Sequence, residues 1–252
     1  MDPLTIALVA AWCFLVAVIG GLAGLVLGNI RLPVVLLAAT SPAGGAGANI
    51  GISGVSAAAA SVTHIRAGRV NWRLFWVMAV PSVVGAIAGG LVSGALPGDV
   101  LLAIIGVTLL YFGIDLLRRP PAPAAPSPTG PDGLDLRAAA VAGAVIGFIG
   151  GVVGLILGAL RMPALIRYVG ERPSLAVGTN VTVGVVVGIA GVIGHTPSGV
   201  DWELLGVGAA ASIPGAMIGA RLTGRLSEEN LMRAVAIVLV VAGCVTGAQA
   251  LV

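Results

Sequence analysis

The chain has 252 residues, of which 58% are hydrophobic and only 9% are charged, and its mean hydropathy is +1.10. A soluble domain carries about 25% charged residues to solvate its surface. The composition therefore excludes an ordinary soluble protein and indicates an integral membrane protein embedded in a lipid bilayer. Aromatic residues are few, at 4%, and strand-like alternation is absent, so we expect an all-α, polytopic membrane protein.

The 13 basic residues are all arginines, and they exceed the ten acidic residues by three. Loop arginines that orient a membrane protein explain this excess, so no nucleic-acid partner is expected. The absence of lysine excludes a Walker A nucleotide site and any lysine Schiff base. Cys13 and Cys244 lie in separate apolar runs without a Cys/His cluster, so we expect no metal and no cofactor. The sequence predicts a protein that is not an enzyme.

Residues 1–118 are predicted to form the first membrane repeat. The first apolar stretch follows Met1 without a positively charged region, which indicates an uncleaved membrane segment. Residues 4–65 are long enough for three crossings of about 20 residues each. Two later helices, about residues 74–96 and 99–117, would bring the number of crossings to five.

The alternative is four crossings in each half. In that arrangement residues 33–65 form one helix, which at 1.5 Å per residue is about 50 Å long and too long for a bilayer. A break at residues 41–45, which contain Ser-Pro-Ala-Gly-Gly, would resolve this. We favour five crossings over four.

A charged, proline-rich segment, residues 119–135, predicts an extended cytoplasmic linker between the halves. Residues 136–252 form a second membrane repeat, because they match the first half at a shift of about 130 residues. Residues 20–33 and 150–163 are identical at eight of fourteen positions, including the glycine pairs, the arginine and the proline. We interpret the chain as an internal duplication.

The distribution of arginines predicts that the two repeats are inverted. In the first half the loop near residues 66–73 carries three arginines, on the same side as the linker. In the second half the corresponding loop, near residues 196–203, has none, and arginines flank the following turn, residues 221–233. Because positive loops stay in the cytoplasm, the halves are expected to lie upside down relative to each other in the membrane.

The repeated glycine-rich segment predicts broken helices at the repeat interface. Freed backbone groups at membrane depth are tolerated only in a cavity or inside the protein, and a half-helix N-terminus favours an anion. An arginine follows the break in each half and would add positive charge to such a site. The alternative is that the glycines allow close helix packing and the arginines extend to the membrane interface. The predicted hinge residues are Gly24, Gly28, Pro33, Gly154, Gly158 and Pro163, and the predicted anion-binding arginines are Arg31 and Arg161.

Other polar residues, some of them repeated in both halves, extend this predicted site. Asn49, Asn180 and Thr179 are candidates for substrate contact, although an asparagine at this place could simply cap a helix. The serine at position 53 is a further substrate-binding candidate, whose hydroxyl could instead bond back to the helix backbone. His64 and His195 are repeat partners that close the same helix in each half. They are candidates for proton coupling, and the helix dipole alone could also explain them.

Two other functions compete with a transporter. A passive anion channel would use the same arginines without a driving gradient. Gly51-Ile52-Ser53-Gly54 matches the G-x-S-G pattern of intramembrane serine proteases, with His195 as a base, but such a short match arises by chance in a glycine-rich and serine-rich chain.

The repeated motifs resemble the sulfite exporter TauE/SafE family over essentially the whole chain. The clearest part runs from Ala176-Val177-Gly178-Thr179-Asn180 through Gly191 and His195 to Val200-Asp201-Trp202. The resemblance implies an inner-membrane carrier of sulfite, organosulfonates or similar sulfur-containing anions, driven by an ion gradient. We expect an exporter that works by alternating access between the two repeats, and the sequence leaves open whether it forms a homodimer.

The first family motif usually reads G-x-G-G-G before the proline, whereas this chain has Gly24-Leu25-Val26-Leu27-Gly28 and Gly154-Leu155-Ile156-Leu157-Gly158. Side chains thus occupy positions where the family has glycine. Because both halves changed together, the sequence predicts a narrower site with altered specificity.

Overall fold

The computed structural model describes residues 1–91, 98–118, 134–153, 155–196 and 199–250. Within these ranges the protein is helical and contains no β-strand. The helices are α1 (Pro3–Ala23), α2 (Gly28–Ala38), α3 (Pro42–Arg66), α4 (Trp72–Leu91), α5 (Gly98–Arg118), α6 (Leu136–Val153), α7 (Gly158–Pro163), α8 (Pro173–His195), α9 (Trp202–Thr223) and α10 (Glu228–Gln249). A short π-helix, Ala164–Tyr168, continues α7.

Local sequence signals explain where several helices begin. The side chains of Asp2, Ser41, Asp201 and Ser227 each accept a hydrogen bond from a backbone N–H in the first turn of the helix that follows. Proline stands in the first turn of α1, α3 and α8, where its missing N–H removes no helical hydrogen bond. Polar caps and prolines therefore divide an almost uniformly apolar chain into separate helices.

The described residues form five α-helices before the linker and five after it. α1, α8, α9 and α10 are long and apolar enough to cross a membrane by length and composition. The middle one of the three crossings predicted within residues 4–65 is not a full-length helix, because α2 has 11 residues and spans only about 16 Å. Residues 33–65 are not one helix either, since α2 ends at Ala38 and Ser41 caps α3.

The two halves exchange helices. α1 packs along α9, and α6 packs along α4, so the first helix of each half lies against the fourth helix of the other half. Glycines make this packing close: a Cβ atom on Gly219 would overlap the carbonyl oxygen of Val18, and one on Gly147 would overlap that of Ser82. Neither half therefore completes its own packing.

At the centre, α3 and α8 cross with their chains in opposite directions. Gly54 faces Gly188, and a Cβ on Gly54 would lie 3.4 Å from the Gly188 Cα. Earlier in α3, Ile50 meets the later residue Gly191, with a distance of 2.7 Å from its Cγ2 to a Cβ on that glycine. α3 and α8 are repeat partners, so corresponding segments of the two halves run antiparallel.

The two ends of this bundle differ in charge. At one end, here called the amino-terminal face, the N-terminal ammonium lies 3.1 Å from Glu203 Oε1, and Thr40 contacts Asp201. α1, α3 and α9 begin at this face. They end at the opposite face, here called the arginine face, together with the end of α5 and the start of α6. Ten of the 13 arginines lie there: Arg66, Arg69, Arg73, Arg118, Arg137, Arg167, Arg172, Arg221, Arg225 and Arg233.

The predicted cytoplasmic linker falls mainly on residues 119–133, which lie outside the described residues, as do residues 92–96 of the predicted helix 74–96. The described end of α5 meets the π-helix, where Arg167 Nη2 donates to the Asp115 carbonyl at 3.1 Å, and the described start of α6 meets the loop before α8. There the Asp135 N–H donates to the Val169 carbonyl at 3.0 Å. Both ends of the linker therefore lie at the arginine face.

Candidate functional site

A helix break follows the first helix of each half. Leu25 N–H donates to the Gly20 carbonyl at 2.8 Å, and Leu155 N–H donates to the Gly150 carbonyl at 3.0 Å. Gly24 adopts a left-handed conformation with φ of 68°, which a residue with a side chain rarely adopts. The predicted hinge residue Gly154 lies outside the described residues. The break between α1 and α2 and the break between α6 and α7 thus lie at equivalent places in the two halves.

Arg31 lies inside the protein, bonded to α3. It is 2% exposed. Its Nε donates to Asn49 Oδ1 at 3.0 Å, and its Nη2 donates to the Asn49 carbonyl at 3.0 Å and to Ser53 Oγ. Asn49 Nδ2 in turn donates to the Gly28 carbonyl at 3.1 Å, at the start of α2. The asparagine therefore fixes both the arginine and the half-helix that carries it.

Arg161 has the same place in the second half but fewer partners. It is also 2% exposed, and its Nε donates to Asn180 Oδ1 at 3.1 Å. Asn180 Nδ2 donates to the Gly158 carbonyl at 2.9 Å and to the Gly24 carbonyl of the other half at 2.6 Å. The buried Nη2 of Arg161 has no hydrogen-bond partner among the described residues.

The site carries positive charge that the described part of the chain does not neutralise. The ion pairs found in that part involve neither Arg31 nor Arg161. Burying an unpaired charge is costly, and buried charges are normally paired or bound to a ligand. An anion bound beside either arginine would compensate its charge, and one bound beside Arg161 would also accept from the free Nη2.

A narrow cavity lies beside Arg31, between α1, the first helix break, α3 and α8. It is small: it leaves about 10 Å³ for the centre of a water-sized sphere, which is room for about one water molecule. Its polar groups come from Arg31, Ser53 and Ser56, and the remaining lining is apolar or glycine. Val26 and Leu27, at positions where the resembled family has glycine, are among the lining residues. The side chains at the equivalent positions of the second half, Ile156 and Leu157, are not part of this lining.

The structure corrects the capping alternative for the asparagines. Asn49 is the eighth residue of α3, and Asn180 is the eighth residue of α8, so neither caps a helix. Each bonds instead to the arginine and to the start of the half-helix in its own repeat. Sequence reasoning paired Asn49 with Asn180 but did not foresee these contacts, because they depend on how the half-helix lies against α3 or α8.

Pro33 does not mark a break, since it lies inside α2, and Pro163 ends α7 where the π-helix begins. A proline cannot donate to the carbonyl four residues earlier, which in α2 is that of Asn29. That carbonyl accepts a hydrogen bond from Gln249 Nε2 at 3.0 Å instead, and Asn29 Nδ2 donates to Thr246 Oγ1 at 2.7 Å. Asn29, Thr246 and Gln249 were missed, although the proline signalled an unsatisfied carbonyl.

Three other candidates, Thr179, His64 and His195, lie away from Arg31 and Arg161. Thr179 Oγ1 accepts from the Asn71 N–H at 3.0 Å, at the arginine face. His64 is fully buried near the end of α3, and neither ring nitrogen makes a well-formed hydrogen bond within the described structure. His195 ends α8 at the amino-terminal face, and its Nδ1 lies 3.1 Å from the Gly191 carbonyl. The repeat partners His64 and His195 therefore have different surroundings.

The protease alternative finds no support in these contacts. Ser53 Oγ accepts from Arg31, whereas a nucleophilic serine needs a base that takes its proton. The structure does not bring His195 to Ser53, since the imidazole bonds within its own helix.

A family model described as "Sulfite exporter TauE/SafE" matches residues 9–246. The chain is 29% identical over 185 residues to the "Probable membrane transporter protein y4hK" of Sinorhizobium fredii, covering 71% of this chain and 72% of that protein. It is 33% identical over 111 residues to the "Probable membrane transporter protein ORF9" of a Sinorhizobium species, covering 41% and 42% of the two chains. It is 30% identical over 105 residues to the "Probable membrane transporter protein YunE" of Bacillus subtilis, covering 40% and 37%.

The matches to the second and third relatives span less than half of either chain, and no solved structure matches. The family match, in contrast, extends over nearly the full length and includes both helix breaks and both arginines. The helical fold with its membrane-spanning helices agrees with this assignment. The chain is a multi-pass membrane transporter that belongs to the sulfite exporter TauE/SafE family.

Proposed function

We propose that the protein exports a small sulfur-containing anion, sulfite or an organosulfonate, by alternating access between its two repeats. The observation that carries the proposal is the pair of buried arginines, one at each helix break, without a carboxylate partner among the described residues. The free Nη2 of Arg161 offers a donor to the anion. A sulfonate or sulfite oxygen is a strong acceptor for a guanidinium.

The cavity favours an organosulfonate over sulfite. Sulfite and a sulfonate head each present three oxygens that need hydrogen-bond donors, so the two anions differ here only in the apolar body of the sulfonate. The lining offers Arg31, Ser53 and Ser56, and otherwise apolar residues such as Val16 and Val26. An anion with a charged head and a short apolar body would satisfy both parts of this lining.

Alternating access in this proposal uses two inverted repeats. The antiparallel course of α3 and α8 supports inversion, because these repeat partners would otherwise run the same way. The arginine face would be cytoplasmic, since positively charged loops stay inside the plasma membrane. A reporter enzyme fused after residue 198 should then be located outside the cytoplasm. Reporter activity from the cytoplasmic side would contradict the inverted arrangement.

We assign proton coupling to His64 rather than to His195. His64 is buried without a well-formed hydrogen bond, beside the arginine-face loop that contains Arg69, and the carbonyl oxygen of Gly21 is the nearby acceptor. His195 already bonds within its own helix. His64→Gln should therefore abolish the response of flux to a proton gradient, whereas His195→Gln should leave it unchanged.

Flux in reconstituted vesicles tests the transport proposal. Arg161→Gln should lower methanesulfonate or sulfite flux by about tenfold or more, because a charged hydrogen bond to the anion is lost. Arg225→Gln removes an exposed arginine at the arginine face and serves as the matched control. Unchanged flux in Arg161→Gln would remove this arginine from the mechanism. Flux that ignores an imposed ion gradient would indicate a passive channel instead.

A further inference from the structure

Two contacts between the repeats lie at opposite ends of the bundle. The first, here called the amino-terminal contact, joins the loop before α3 to the loop before α9. Asp201 Oδ2 accepts from the Thr40 N–H at 3.2 Å and from Thr40 Oγ1 at 3.1 Å. The Asp201 N–H donates to the Gly44 carbonyl at 3.1 Å. Asp201 also caps α9, so this residue connects the start of α9 to the end of the half-helix α2.

The second contact, here called the arginine-face contact, joins the loop before α4 to the loop before α8. Asn71 Nδ2 donates to Glu171 Oε2 at 2.7 Å, and the Asn71 N–H donates to Thr179 Oγ1 at 3.0 Å. Asn71 Oδ1 accepts from the Leu74 N–H and so caps α4, as Asp201 caps α9. Glu171 is 5% exposed, so its carboxylate lies inside the protein.

The two contacts are equivalent by internal symmetry. Asn71 and Asp201 are repeat partners directly before a tryptophan, and Thr40 and Glu171 each lie two residues before the proline that begins α3 or α8. In both contacts a glycine lets the opposing loop approach. A Cβ on Gly47 would lie 2.8 Å from the Gly199 carbonyl oxygen, and a Cβ on its repeat partner Gly178 would overlap the carbonyl oxygen of Arg69.

The two contacts differ in which of the two partner residues carries the carboxylate. It belongs to the capping residue Asp201 at the amino-terminal face and to the loop residue Glu171 at the arginine face. Each contact thus contains one acidic group that accepts hydrogen bonds from a neutral partner, and such bonds are stronger than those between two neutral groups. The repeats have kept a charge-assisted contact at both faces while the residues themselves diverged.

We propose that Thr40 with Asp201, and Asn71 with Glu171, are the two gates of the transporter, one at each face. The inference rests on the proposed alternating access. Each contact ties the loop that follows a half-helix of one repeat to the fourth helix of the other repeat. Movement of a half-helix away from the opposite repeat, which would admit the anion at that face, must break the contact there. In the structure both contacts are formed.

Side-specific thiol labelling tests this proposal. The reporter is Ser56→Cys, in the cavity lining, in a chain whose own cysteines are removed by Cys13→Ala and Cys244→Ala. Two matched substitutions, Thr40→Ala and Glu171→Ala, each remove one loop side chain and leave the helix caps in place. A membrane-impermeant maleimide is added to one side of oriented vesicles at a time.

Thr40→Ala should increase labelling from the amino-terminal face by about fivefold, the change that loss of one hydrogen bond gives, without an increase from the other face. Glu171→Ala should do the reverse. Thr40→Ser keeps the hydroxyl and should label like the parent, whereas Glu171→Gln keeps an acceptor without the charge and should label between the parent and Glu171→Ala. Equal changes at both faces, or no change in either variant, would overturn the gate assignment.

A second measurement applies if an alanine variant does not fold. The pairs Thr40→Cys with Asp201→Cys, and Asn71→Cys with Glu171→Cys, are oxidised to disulfides in vesicles, and flux of methanesulfonate is followed. Each disulfide should stop flux, and a reducing agent should restore it; undiminished flux across either disulfide would overturn the proposal. If the parent carries no sulfonate or sulfite while labelling still switches sides as expected, the transport proposal fails and the gates remain.

Discussion

Asn180 joins the two helix breaks, so Asn180→Ala is expected to destabilise the protein strongly. The amide accepts a hydrogen bond from Arg161 and donates to the carbonyls of Gly24 and Gly158, which belong to different repeats. Alanine keeps the helix propensity of α8 but removes all three bonds at once. The loss would leave a buried charged donor and two buried carbonyls without their partner.

The size of the effect follows from these three groups. A buried polar group left without its partner costs about 1–3 kcal/mol in soluble proteins. Interhelical hydrogen bonds inside membrane proteins average only about 0.6 kcal/mol. Three bonds, one of them to a charge, thus give a destabilisation of about 2–5 kcal/mol, which corresponds to a melting temperature lowered by about 5–20 °C.

Thermal unfolding of the purified protein in detergent, followed by the loss of its monodisperse chromatographic peak, measures this shift. Asn230→Ala is the matched control, because it makes the same substitution at an exposed position in the first turn of α10. Its melting temperature should equal that of the parent. If Asn180→Ala melted together with Asn230→Ala, the breaks would not depend on the amide, and the reasoning would be refuted.

Three further predictions concern packing, charge and the cavity. Gly219→Ala should lower the free energy of unfolding by about 1–3 kcal/mol because its Cβ would overlap α1. Gly206→Ala is the control, since a Cβ at this position of the same helix would have nothing within 4 Å and should not change the free energy of unfolding. Chemical unfolding of the two variants measures the difference. Partial burial of Asp201 disfavours its charged form, but its hydrogen bonds outweigh this effect and hold the pKa of the carboxyl below 3.8. The carboxylate therefore stabilises the folded protein above pH 3.8, and this stabilisation is lost as the pH falls through the lowered pKa. The melting-temperature difference from Asp201→Asn should therefore be constant from neutral pH down to 5 and shrink only below about 4; a change near pH 6 would contradict this. Gly28→Ala would place a Cβ 2.9 Å from Ser53 Oγ and should weaken the thermal shift that methanesulfonate produces; an unchanged shift would separate Gly28 from the site.

The sequence predicted the main elements of the site because they recur in both halves. The repeated glycines and arginines located both breaks, and the structure places Arg31 and Arg161 there, buried and bonded to the repeated asparagines. Repetition reports which residues correspond, but it does not report their partners. The capping interpretation of Asn49 was wrong for this reason, since the asparagine bonds across to α2.

Other features could not be predicted because they depend on tertiary packing. An apolar stretch of about 20 residues can be one crossing or a half-helix with a loop, and only the contacts at its two ends distinguish them. Thr40 beside Asp201 shows that α2 returns to the face where α1 begins. Likewise, the difference between His64 and His195 lies in their neighbours and not in their sequence position.

The exchange of first helices between the halves has a consequence for biogenesis. α1 emerges from the ribosome about 180 residues before α9, the helix against which it packs, which at about 5–20 residues per second is a delay of roughly 10–40 s. During this time the face of α1 that packs against α9 contacts lipid or the insertion machinery instead of its partner. The final packing of α1 against α9 therefore takes place after α1 has been inserted into the membrane. Two fragments divided within the linker should consequently recover a working protein only when both are made in the same cell.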